Sequence, residues 1–86
     1  MNSSEIKDKV TALRSDVRIT GSLPEAVYIQ IETGEVEPRE MDMLVLDLET
    51  DLKEAGLELS VKCTDPAMIS GWVQAVAVPE FDPFNL

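Results

Sequence analysis

Residues 38–56, PREMDMLVLDLETDLKEAG, space their apolar side chains with the period of an α-helix, and no other stretch limits the fold as far. On a helical wheel Met41, Leu44, Val45, Leu48, Leu52 and Ala55 share an arc about 100° wide. A face that broad has to be buried against another element. The ends carry matching signals. Pro38 suits the first helical position, where a missing N–H costs nothing. Glu37 and Glu40 place negative charge at the positive end of the helix dipole. Gly56 suits a left-handed C-terminal cap.

The same wheel separates two further faces. Glu40, Asp47, Asp51 and Glu54 fall within about 60° of one another. This acidic row is a candidate surface for a basic partner protein; the plainer alternative is a solvated face. Met43 and Leu46 point away from the core stripe, beside Arg39 and Thr50. Scattered exposed apolar residues are ordinary. Two of them opposite a complete core stripe also form the pattern of a second contact face, most simply a homodimer seam.

Length and composition set the bounds. Eighty-six residues make one domain. A chain of that size buries roughly 60–65% of its unfolded surface, so the core is small. Hydrophobic content of 44%, regularly spaced, indicates a folded chain. No apolar run approaches the ~20 residues that span a bilayer. The opening MNSSEIKDKV lacks an apolar core of the kind that secretory signals carry. One cysteine excludes an internal disulfide, and the expected compartment is the cytoplasm. The net charge of −10 is uneven. Residues 1–20 hold four basic and three acidic residues, whereas residues 21–86 hold three basic and fourteen acidic, a balance of −11. Such a chain repels nucleic acid and anionic membrane and is steered toward basic proteins.

Residues 3–15 read as a first helix. Asn2, Ser3 or Ser4 can cap it, and Glu5 follows Asn2 at capping-box spacing. Ile6, Val10 and Leu13 form its narrow apolar stripe. Lys7, Lys9 and Arg14 read as solvated flanks. Residues 16–20 alternate as a short strand, 21–25 form a loop, and 26–33 form a second strand with Val27, Ile29 and Ile31 inward.

After Gly56 the period falls to two. Leu57, Leu59, Val61 and Cys63 share one side, which marks Cys63 as a buried core thiol. Asp65 and Pro66 form a helix-start signal. Residues 66–78 then read in two ways. One is a single turn at 66–70 followed by a strand at 72–78, favoured by Gly71 and the Trp and Val content. The other is a helix on Ile69, Trp72, Val73 and Val76. Residues 79–86, PEFDPFNL, form an acidic, aromatic tail. Phe81, Phe84 and Leu86 are candidates for a docking motif, or for a strap over the chain's own core.

Helix, strand, strand occurs at 3–33 and again at 38–78. The expected fold is therefore α+β: one two-layer domain over residues 1–78 in αββ-αββ order. A four-stranded, mainly antiparallel sheet carries both helices on one face. An ααβ-type permutation stays open. This layout is similar to that of the cofactorless effector subunits of multicomponent monooxygenases. The resemblance implies a small regulatory subunit.

The chemistry follows mostly by elimination. The chain has no histidine, hence no Ser-His-Asp or Cys-His site and none of the commonest metal ligand. Gly21, Gly34, Gly56 and Gly71 lie far apart, each read as punctuating a turn, and make no phosphate loop. Asp47-x-Glu49-x-Asp51 lacks the central glycine of a calcium loop and sits in a helical pattern. Carboxylate pairs for glycoside hydrolysis need a cleft, for which a core this small leaves little room. The Asp-Ser-Leu attachment site of acyl carrier proteins is absent, as is the Gly-Gly end of ubiquitin-like sulfur carriers. No enzymatic activity, metal or cofactor is expected. The expected function is an inhibitor- or immunity-like acidic module that covers a basic protein surface. The alternative is a cofactorless regulatory or structural subunit that binds through apolar surface, as a homodimer or an enzyme effector.

Overall fold

The computed structural model describes residues 1–64 and 67–76. They form α1 (Ser3–Leu13), β1 (Arg18–Leu23), β2 (Ala26–Glu32), α2 (Pro38–Glu54), β3 (Leu57–Cys63) and β4 (Met68–Ala75). The strands make one sheet in the order β1-β2-β4-β3, with every neighbouring pair antiparallel. Each helix–strand–strand half puts its second strand at the centre and its first at an edge. The halves therefore join through β2 and β4, and both helices lie on one face, as the α+β layout requires.

α1 starts at a complete capping box. The Asn2 Oδ1 accepts from the Glu5 N–H at 2.9 Å, and the Asn2 N–H donates to the Glu5 carboxylate at 3.1 Å. Two otherwise orphaned donors are satisfied this way. The helix ends at Leu13, two residues earlier than its periodicity suggests, because Arg14 adopts an extended backbone. Leu13, its last residue, is exposed and does not join the buried pair Ile6 and Val10. Asn2→Ala should cost about 1 kcal/mol. In a thermal melt that corresponds to a midpoint lowered by about 5 °C, whereas an unchanged midpoint would show the cap to be idle.

One core fills the space between the layers. Ile6 and Val10 come from α1 and Leu48 and Leu52 from α2. They pack on Val27, Ile29 and Ile31 of β2, Leu57 of β3, and Ile69 and Val73 of β4. Met41, Leu44, Val45 and Ala55 complete the α2 stripe as partly buried rim. Gly56 ends α2 with φ +80°, the left-handed conformation that favours glycine there.

Four local expectations need correction. First, β1 continues through Gly21, Ser22 and Leu23, so the loop expected at 21–25 shrinks to Pro24 and Glu25. A register shift between Ile19 and Gly21 keeps the strand paired across that stretch. Second, of the two readings of 66–78 the favoured strand holds over the helix, but it begins at Met68 instead of 72. β4 is flanked on both sides, so β2 and β3 together supply partners that local helix spacing cannot outweigh.

Third, Gly71 is in no turn. It sits in mid-strand, where a Cβ would overlap the Ser60 carbonyl and crowd the Val61 Cα. Fourth, Cys63 is exposed and not part of the core. A register shift between Val61 and Cys63 inserts Lys62 as an extra residue. The alternation slips by one, and Cys63 turns to the side away from the helices. There its carbonyl accepts from the Ser70 Oγ at 3.3 Å.

Candidate functional site

The core fixes how α2 is rotated. With Leu48 and Leu52 buried against the sheet, the helix's two flanks have set directions. One flank runs along α1 and carries the acidic row. Glu40, Asp47, Asp51 and Glu54 are all exposed. Asp47, Asp51 and Glu54 span about 10 Å of helix, given 1.5 Å per residue. Glu40 stands two turns away and is engaged locally: its carboxylate accepts from the Glu37 N–H at 3.4 Å. Around it, Glu35, Val36 and Glu37 line a shallow, open recess. The acidic surface therefore has two parts, a helix-end cluster and a mid-helix row.

Two cations, Lys9 of α1 and Arg14 just past its end, border this flank. The Lys9 Nζ donates to the Ala55 carbonyl at 3.4 Å, which sets a positive charge at the negative end of the α2 dipole. Arg14 makes a forked pair with Asp16, with contacts of 3.0 and 2.9 Å. That hydrogen bond holds the Arg14 guanidinium above its ordinary value. The charges of Asp16, Asp51 and Asp47 add to it, and partial burial opposes it. The same bond holds the Asp16 carboxyl below the usual range. Among the described residues the Arg14–Asp16 contact is the one ion pair within 4.0 Å. Asp47, Asp51 and Glu54 thus have no salt-bridge partner there. Arg14 reaches Asp47 and Asp51 only through the longer-range field.

The opposite flank of α2 faces β3. Both apolar residues are exposed, Met43 by 56% and Leu46 by 54%, and Leu46 is the one that lines this flank. Leu46, Glu49, Thr50 and Lys53 form one wall of a groove whose other side is Leu57, Glu58 and Leu59. The wheel predicted the exposure of the apolar pair. It did not predict that Leu46 would overlook an edge strand, since strand order is not written in local periodicity.

A third surface is the sheet face away from the helices. Tyr28 and Trp72 lie opposite each other in the β2–β4 register and pack edge to face, with centroids 5.0 Å apart. The Tyr28 Oη donates to the Ser70 Oγ at 3.3 Å. Alternation alone put Tyr28 outward, but finding Trp72 beside it required the register. Phe81, Phe84 and Leu86 lie outside the described residues, as do Asp65 and Pro66.

Among the described residues, no three His, Cys, Asp or Glu side chains group in a way that could hold a metal ion. No described helix is long and apolar enough to cross a membrane. No protein-family model, curated protein or solved structure matches the chain.

Proposed function

We propose that this chain is a non-enzymatic, cytoplasmic interaction module whose acidic α2 flank covers a basic surface of a partner protein, in the manner of an inhibitor or immunity protein. The observation that carries this reading is the exposure of Asp47, Asp51 and Glu54 on a helix held by the core, with no ion-pair partner among the described residues. Carboxylates arranged this way need no reorganisation to receive lysine or arginine, so little ordering cost offsets the contact. The −11 balance of residues 21–86 adds long-range steering toward a basic partner. Glu40 extends the surface toward the helix start. A second reading, a small cofactorless regulatory or structural subunit joined through apolar surface, draws its support from Met43 and Leu46.

Cross-linking capture followed by mass spectrometry tests the first reading. Asp47→Asn, Asp51→Asn and Glu54→Gln together remove three charges at nearly constant shape. If each contact is worth about 1 kcal/mol, the triple variant binds its partner about 100-fold more weakly. Its melting temperature should stay close to that of the wild type, because exposed positions of this kind carry little stability. A captured partner that is acidic, or that binds the variant as tightly, would contradict the proposal.

A further inference from the structure

We infer that β3 is the seam of a two-fold homodimer, in which the sheets of two copies join edge to edge. Three observations lead there. The first is the open edge. β3 ends the sheet and, among the described residues, pairs only with β4. The Val76 N–H donates to the Gly56 carbonyl at 2.9 Å, which sets the phase of the ladder. Gly56, Glu58 and Ser60 therefore turn their peptide groups toward β4. Leu57, Leu59 and Val61 turn theirs outward. That row of donors and acceptors is a template for another strand, and edges of this kind are ordinarily covered or blunted.

The second observation is the self-complementarity of LELSVKC. Let two copies of β3 run antiparallel about an axis at Ser60. Leu59 then faces the partner's Val61, and both belong to the outward-bonding set, as a hydrogen-bonded pair requires. Counted on through the bulge at Lys62, the same register brings Glu58 beside the partner's Lys62, twice by symmetry. Opposite charges directly across a ladder stabilise it, and like charges there destabilise it. Glu58 and Lys62 are both exposed. Glu58 is steadied on its own sheet by the Gln74 side-chain amide, which donates to it at 2.9 Å.

The third observation is the groove itself. Leu46 stands over Leu57 and Leu59 on the helix side of β3. Its counterpart in a second copy would meet it across the axis. A two-fold interface uses one patch twice, so a self-complementary strand beside an apolar wall is the arrangement it needs. The acidic row lies on the opposite flank of α2. A dimer built this way leaves both rows outward and can engage a repeated basic partner bivalently. The inference goes beyond the proposed function and does not rest on it.

The test is sedimentation equilibrium of the full chain over a wide concentration range. Glu58→Lys and Lys62→Glu should each weaken the dimer about tenfold or more, since each places two like-charge pairs across the seam. The double variant restores the opposite-charge pairs and should return to wild-type association, which a merely damaged fold cannot do. Ser60→Cys in a Cys63→Ser background should close a disulfide across the axis under mild oxidation. The facing Cα atoms would be about 4.5 Å apart, within disulfide reach. Ser22→Cys in the same background, on the other sheet edge, should give no covalent dimer. A chain that stays monomeric at every concentration would overturn the inference. So would a dimer that the double variant fails to restore, or a monomer that takes an extended peptide along β3.

Discussion

Gly71→Ala should destabilise the fold by about 3 kcal/mol, and Gly71→Val should prevent folding. Overpacked sites cost about 1–3 kcal/mol when side chains can shift aside. Here the obstacle is backbone. The Ser60 carbonyl and the Val61 Cα stand where the new Cβ would be, and neither has a rotamer to escape into. Relief requires β3 to move off β4, which breaks the ladder that runs from Leu57 to Cys63. A fold of this size has total stability of roughly 5–15 kcal/mol, so 3 kcal/mol is a large part of it. Urea denaturation followed by far-ultraviolet circular dichroism reads the effect as a lowered midpoint. A wild-type midpoint for Gly71→Ala would show that the two strands are farther apart than described.

Leu48→Ala should cost about 3 kcal/mol by a different route. Leu48 is 1% exposed and belongs to the cluster that joins α2 to α1 and the sheet. Removing its branched end loses transfer energy and leaves a cavity, together worth about 2–5 kcal/mol in comparable cores. The consequence extends to function, because Leu48 and Leu52 set the rotation of α2. Asp47 and Asp51 point where they do only while that contact holds. The expected result is a lowered urea midpoint with an unchanged slope, together with weaker partner binding at temperatures near the melt. Full stability in the alanine variant would mean that α2 is not seated on the core as described.

Where one element decides its own structure, its residues could be read directly. α2 carries its cap, its stripe and its terminating glycine within nineteen residues. The acidic row and the exposure of Met43 and Leu46 followed from the same wheel. The Asn2–Glu5 box was equally local. What could not be read depends on partners distant in the chain. Cys63 shares the alternation of Leu57, Leu59 and Val61, and only the register shift at Lys62, imposed by β4, turns it outward. Gly71 resembles a breaker until β3 is set beside it. Ile69, Trp72 and Val73 satisfy a helix spacing as well as a strand, and the choice belongs to the two neighbouring strands. The groove under Leu46 required knowing that β3 is an edge.

The two flanks of α2 divide the molecule's surface by chemistry. One presents carboxylates to solvent beside the forked Arg14–Asp16 pair. The other presents Leu46 above an edge strand. The acidic flank is the part of the account on which the proposed function stands, and a charged contact has a signature that an apolar one lacks. Exposed charges are screened within about 10 Å at 0.1 M salt and within about 3 Å at 1 M.

The decisive measurement is therefore the dissociation constant of the captured partner across that salt range, for the wild type and for the variant with Asp47, Asp51 and Glu54 neutralised. The expected result is a steep loss of wild-type affinity as salt rises, with a much flatter line for the variant. Two parallel lines, or a wild-type affinity that does not change with salt, would contradict the account.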